Sequence, residues 1–144
     1  MSLRRVLVVE DFQPRGPSRW IAVLPLDSPL GQFRVSLRYA PDAGLVAAAN
    51  AVADYIAEKA ETVLAAAHAD YVAHSHDEGW MEGCEVPLGL TAAEIRQYLN
   101  DPTIAIDRIG TGQVSSVIYF SPQWDQEHGL YLKVLDGRIA RTEP

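Results

Sequence analysis

A chain of 144 residues with 48% hydrophobic and 22% charged side chains has the balance of one ordinary globular domain over 1–144, large enough to bury a core without metal or disulfide. Its 19 acids against 12 bases give a formal net charge of −7, which disfavours nucleic acid and anionic membrane surfaces, since both are met by clustered Lys and Arg. The single cysteine, Cys84, excludes an internal disulfide and fits a reducing compartment.

The N-terminal apolar stretch, VLVV, is too short for a signal-peptide core, and no window approaches the roughly 18 apolar residues of a membrane span, so a cytoplasmic address is expected. Residues 4–11, RRVLVVED, read as a strand from their β-branched content, and residues 13–18, with two prolines and a glycine, as a loop. Residues 19–26 predict a second strand, with Pro25 confined to its edge or end because proline donates no ladder hydrogen bond. Residues 32–39 alternate cleanly. Phe33, Val35, Leu37 and Tyr39 point one way and Gln32, Arg34, Ser36 and Arg38 the other, the pattern of an antiparallel sheet with one buried face.

The period then changes. From Ala43 to about Ala73, proline is absent and Leu45, Ala49, Val52, Ile56, Ala60, Val63 and Ala67 recur at helical spacing. This predicts one long Ala-rich amphipathic helix, N-capped by Asp42, with Tyr55 and Tyr71 at the edges of its buried face. The Ala stripe would also admit a second copy, so a homodimer is a further expectation. Residues 74–89 carry three glycines and read as a loop. A short helix follows with a capping box, Thr91 with Glu94, a Leu90–Ile95 staple and a stop at Pro102. Residues 103–109, 113–120 and 130–135 read as strands, and Asp136-Gly137 as a hairpin turn that sets Val134 opposite Ile139. Segregated strands and helices give an α+β class: a largely antiparallel sheet packed against one long Ala-rich helix and one short helix.

Two stretches could carry chemistry. In HSHDE, His74, His76 and Asp77 are metal-ligand types that suit zinc, manganese or iron, although a His-x-His pair shares one side only in extended backbone. The alternative is a solvated connector at a helix C-terminus, and no cofactor is expected. Cys84 would need a neighbouring imidazole to act as a nucleophile, and nothing local supplies one. The glycines at 110 and 112 lie between strands, where no helix N-terminus exists to hold phosphate. Arg34 and Arg38, with Arg4 and Arg5 as neighbours, form a candidate anion site, although a solvated sheet face needs the same residues. In WDQEHG, Trp124 suits the cover of a core, Asp125 a turn, His128-Gly129 a sharp re-entry, and Glu127 beside His128 the pairing of a general base.

The run YFSPQWDQEHGLYLKVLDGRI resembles the closing signature of an uncharacterised bacterial family of small α+β proteins, in which a strand enters W-D-x-E-H-G before a Leu and a hairpin. Trp124, Asp125, Glu127, His128 and Gly129 match it, and upstream a helix ending near Tyr71 and an L-T-x-E start at Leu90, Thr91 and Glu94 are similar. The sequence departs at Tyr131, where that family usually has glycine, and at its RTEP ending, which lacks the common final glycine. The resemblance implies no established activity. It implies small acidic proteins near toxin and contact-dependent systems, hence an immunity-like role and a protein partner, with Trp124, Asp125, Glu127 and His128 as candidate binding residues. The reading from another class is a small metal- or Cys-dependent hydrolase. It requires His74, His76, Asp77, Cys84 and His128 to converge in one pocket.

Overall fold

The computed structural model describes residues 5–76, 85–109, 112–135 and 138–141. The predicted Asp136-Gly137 turn, Asp77, Cys84 and Arg4 lie outside these residues. An eight-stranded sheet is formed by β1 (Phe12–Pro14), β2 (Arg19–Ala22), β3 (Leu26–Ser28), β4 (Gly31–Arg38), β5 (Leu99–Ile109), β6 (Gln113–Pro122), β7 (Leu130–Leu135) and β8 (Arg138–Arg141). Its order is β1-β2-β4-β5-β6-β7-β8, with β3 also paired to β4. Neighbours are antiparallel except β4 and β5, which run parallel through Arg34↔Thr103 to Leu37↔Ile106. The expected α+β class is thus the observed one.

The described α-helices all lie between β4 and β5: α1 (Ala43–Glu58), α2 (Ala60–Ser75) and the short α3 (Ala92–Ile95), which tightens into a 3-10 turn at Arg96–Tyr98. Such a crossover is what a parallel pair demands, because a tight turn cannot join parallel strands. Asp42 caps α1 as expected. One carboxylate oxygen accepts the Leu45 N–H at 2.9 Å, and the other binds Arg108 of β5 at 2.5 Å. The Leu45 amide first, and then the Arg108 guanidinium, hold this carboxyl below its usual value. At α3 the Thr91–Glu94 capping box is formed, and the bonds from Thr91 lower the Glu94 carboxyl.

The long helical run is divided at Lys59, whose ψ of 35° leaves the helical region. α1 buries Leu45, Ala49, Val52, Ala53 and Ile56 and packs on β5 and β6, whereas α2 buries the narrower stripe Val63, Ala67 and Tyr71 and reaches α3 and β7. The break therefore re-aims the second half of the run toward α3 and the β7 end of the sheet. Ala49, Ala53 and Ala67 are buried within the chain's own core, so the stripe from which a homodimer was expected is already covered. Tyr71 lies inside the stripe rather than at its edge.

The N-terminal segment departs from expectation. Residues 5–8 are not a strand, and a 3-10 turn follows at Val9–Asp11. Side chains take the place of a ladder. The Leu7 N–H donates to Asn50 Oδ1 and the Leu7 carbonyl accepts from Asn50 Nδ2, both at 2.9 Å, while the Val8 N–H donates to Asp11. Leu7 alone of its apolar run is buried. The strand expected over 19–26 is interrupted as well: Val23 and Leu24 are exposed, and the chain re-enters the sheet only as β3. Tyr39 leaves the alternation of β4 with φ 72° and is exposed. Pro102 does not stop the short helix, which has ended by Tyr98. It sits inside β5 at the irregularity between Asn100 and Thr103, where a residue without an N–H disturbs no ladder bond. The final hairpin has the predicted register, Val134↔Ile139.

Candidate functional site

The turn between β6 and β7 carries the WDQEHG residues and packs against the last turns of α2. Trp124 is 2% exposed. Its indole Nε1 donates to Asp70 Oδ2 at 2.9 Å, and its ring meets Tyr71 edge-on at 5.3 Å and 68°. The Tyr71 hydroxyl donates to the Pro87 carbonyl and accepts the Leu90 N–H at 3.2 Å, while His68 Nε2 donates to the Leu90 carbonyl at 2.7 Å. One face of α2 thus holds both the signature turn and the connector into α3.

Asp125 is the one buried charged residue among those described. Its Oδ1 accepts the His128 backbone N–H at 3.1 Å and the His128 ring Nδ1–H at 3.0 Å. Its Oδ2 faces His74 Nε2 at 3.4 Å. His74 Nδ1 in turn donates to the Asp70 carbonyl at 2.8 Å and lies 3.5 Å from the Asp70 carboxylate. Two imidazoles and two carboxylates therefore alternate, and only the doubly protonated His74 ring donates at both ends. His128, half-exposed, has its Nδ1 held by a buried carboxylate, an arrangement that orients an imidazole and fixes the Nδ1–H tautomer.

His74 and His128, read as separate features in the sequence, meet on Asp125. The sequence pairing of Glu127 with His128 is replaced: Glu127 is exposed and Asp125 holds the ring. His76 is the exposed C-cap residue of α2. Asp77 and Cys84 fall outside the described residues. Among the described residues no group of three His, Cys, Asp or Glu side chains is placed to hold a metal ion. Asp70 was missed by the sequence reading. Its signals are its i,i+4 spacing from His74 and its place beside Tyr71 on the buried stripe. Arg5 donates to the Leu24 carbonyl and pairs with Asp11 at 3.4 Å.

Gly129 closes the turn with φ 77°, a conformation that glycine accepts without strain. A Cβ built there would fall 2.6 Å from Tyr119 Cε2. Tyr119 lies on the sheet face opposite the helices, in cross-strand register with Tyr131 and with ring centroids 5.0 Å apart. That face also carries a cavity of about 560 Å³ over β2, β4, β5, β6 and β7, and a second of about 380 Å³ bordered by Arg15, Arg34 and Asp101. Neither cavity includes Trp124, Asp125 or His128.

The fold and site define an α+β protein whose mainly antiparallel sheet is covered by helices on one face. No described helix is long and apolar enough to cross a membrane. Comparison with protein-family models, with curated proteins and with solved structures returns no match.

Proposed function

We propose that the chain is a non-enzymatic protein-interaction domain, immunity-like as the resemblance of its C-terminal run implies, which engages a protein partner through the open face of the sheet. One observation carries this reading. The signature residues Trp124 and Asp125 are buried and bonded within the fold, while the cavities of about 560 and 380 Å³ open on the other side of the sheet. The proposed setting is the bacterial cytoplasm, without cofactor or nucleic acid. The test is capture from a bacterial lysate by wild type, by Ala105→Lys on the open face and by Glu61→Lys on the helical side. A partner held by the first and third and lost by the second is the expected result.

A specific observation favours a second reading, the small hydrolase, in which His128 oriented by Asp125 serves as the base: His74 and His128, two of the five residues this reading brings together, share one carboxylate. Turnover of ester, amide or phosphoester substrates that is lost in His128→Ala, with the fold intact, would establish it in place of the first.

A further inference from the structure

Arg19 of β2 and Arg38 of β4 are direct register partners. Like charges directly opposite on neighbouring strands are destabilising. Arg38 reaches Asp107 only at 3.7 Å, and Arg19 makes no ion pair among the described residues. This pair stands at one end of the cavity of about 560 Å³. Its floor is small, with Ser36, Ala105 and Ser115, and Tyr131 stands at the far end. Asp107 lines the same cavity beside Arg38, so the two arginines leave one excess positive charge there, whereas α1 and α2 carry Asp54, Glu58 and Glu61 on exposed positions, in a chain of net charge −7.

We infer that this cavity is the binding site for an acidic, extended segment of a protein partner, with carboxylate oxygens bound between Arg19 and Arg38 and an apolar side chain against Tyr131. The inference rests on the interaction-domain reading above and names the chemistry of its ligand. An anion between the two guanidiniums converts a repulsive cross-strand pair into a clamp, and the planar fork of arginine matches a carboxylate. Ser36 and Ser115 offer hydroxyls, and the short side chains of the floor let a peptide backbone approach. From β4 to β7 is three strand spacings, about 14 Å, which about four extended residues cross. Tyr131 is held in place by Tyr119, whose ring in turn rests against Gly129, so the signature turn sets the far wall of the cavity.

The test is fluorescence anisotropy with labelled hexaglutamate at low salt on the full chain, with hexalysine and inorganic phosphate as controls. Expected are saturable binding of hexaglutamate, at least about a tenfold weakening in Arg19→Gln/Arg38→Gln, and no change in Arg96→Gln on the helical side. Arg19→Gln alone should raise the urea midpoint of the ligand-free protein, which shows that the variant folds and that the pair is repulsive. Absence of hexaglutamate binding, equal binding by the double variant, or displacement by equimolar phosphate would each overturn the inference. A partner lost on Ala105→Lys but retained by the double variant would overturn it too, while leaving the interaction-domain reading in place.

Discussion

The Trp124 indole N–H donates to the carboxylate of Asp70, a residue 54 positions earlier on α2, at 2.9 Å. This bond and the edge-on contact with Tyr71 fasten the β6–β7 turn to the helix. Trp124→Ala should cost about 3–5 kcal/mol, the range for removing a buried aromatic ring, as read by urea unfolding. Trp124→Phe keeps most of the ring and loses the hydrogen bond, and should cost about 1–2 kcal/mol. Equal effects of the two substitutions would show that the bond to Asp70, rather than the ring, dominates.

Asp125 accepts from the backbone and ring of His128 with one oxygen and faces His74 with the other. Asp125→Ala leaves these donors without their buried acceptor and should destabilise by about 1–3 kcal/mol. Asp125→Asn retains an oxygen for the turn and should cost less. Amide exchange at His128 should accelerate in the alanine variant and change little in the asparagine variant.

Gly129→Ala meets two obstacles, a φ of 77° and the Tyr119 ring 2.6 Å from the new Cβ. The backbone term is about 1–2 kcal/mol, and the ring must also shift. In a Tyr119→Ser background only the backbone term remains, so the two substitutions should be measurably non-additive in a double-mutant cycle. Additive effects would show that the ring yields without cost.

The carboxyls of Asp42 and Glu94 are lowered in the fold from their usual values of 3.8 and 4.5, by the Leu45 amide and Arg108 in the first case and by Thr91 in the second. A depressed carboxyl contributes stability that is fully present above its unfolded value and is lost as pH falls through its lower folded value. Urea midpoints should therefore decline below about pH 4.5. The double variant Asp42→Asn/Glu94→Gln should be less stable at neutral pH and should show a flatter acid limb. A limb as steep as that of wild type would assign acid unfolding to other carboxylates.

What the sequence made legible was local. The Asp42 cap, the Thr91–Glu94 box, the alternation from Phe33 to Leu37 and the Val134↔Ile139 register each depend on residues a few positions apart. The misreadings depend on distant partners. Val6, Val8 and Val9 have strand propensity, yet Asn50, 43 residues away from Leu7, takes both backbone groups of Leu7 and removes them from any ladder. Nothing local marks Lys59 as a break, because the two halves of the run differ in what they cover rather than in composition. The site follows the same rule. The turn role of Asp125 was legible, but its link to His74 crosses from the signature turn to α2 and required the fold.

The parallel seam between β4 and β5 has a kinetic consequence. β5 to β8 form a meander of near neighbours that pairs through short closures, whereas Val35 and Ile104 meet only after α1, α2 and α3 have been laid between them. Contacts that close long loops form slowly. The meander should therefore assemble first and the seam last, with Ile118 amide protection preceding that of Val35 in pulse-labelled refolding. The two halves of the sheet share that one seam, so the same line along which the protein completes itself is the line along which it should first come apart.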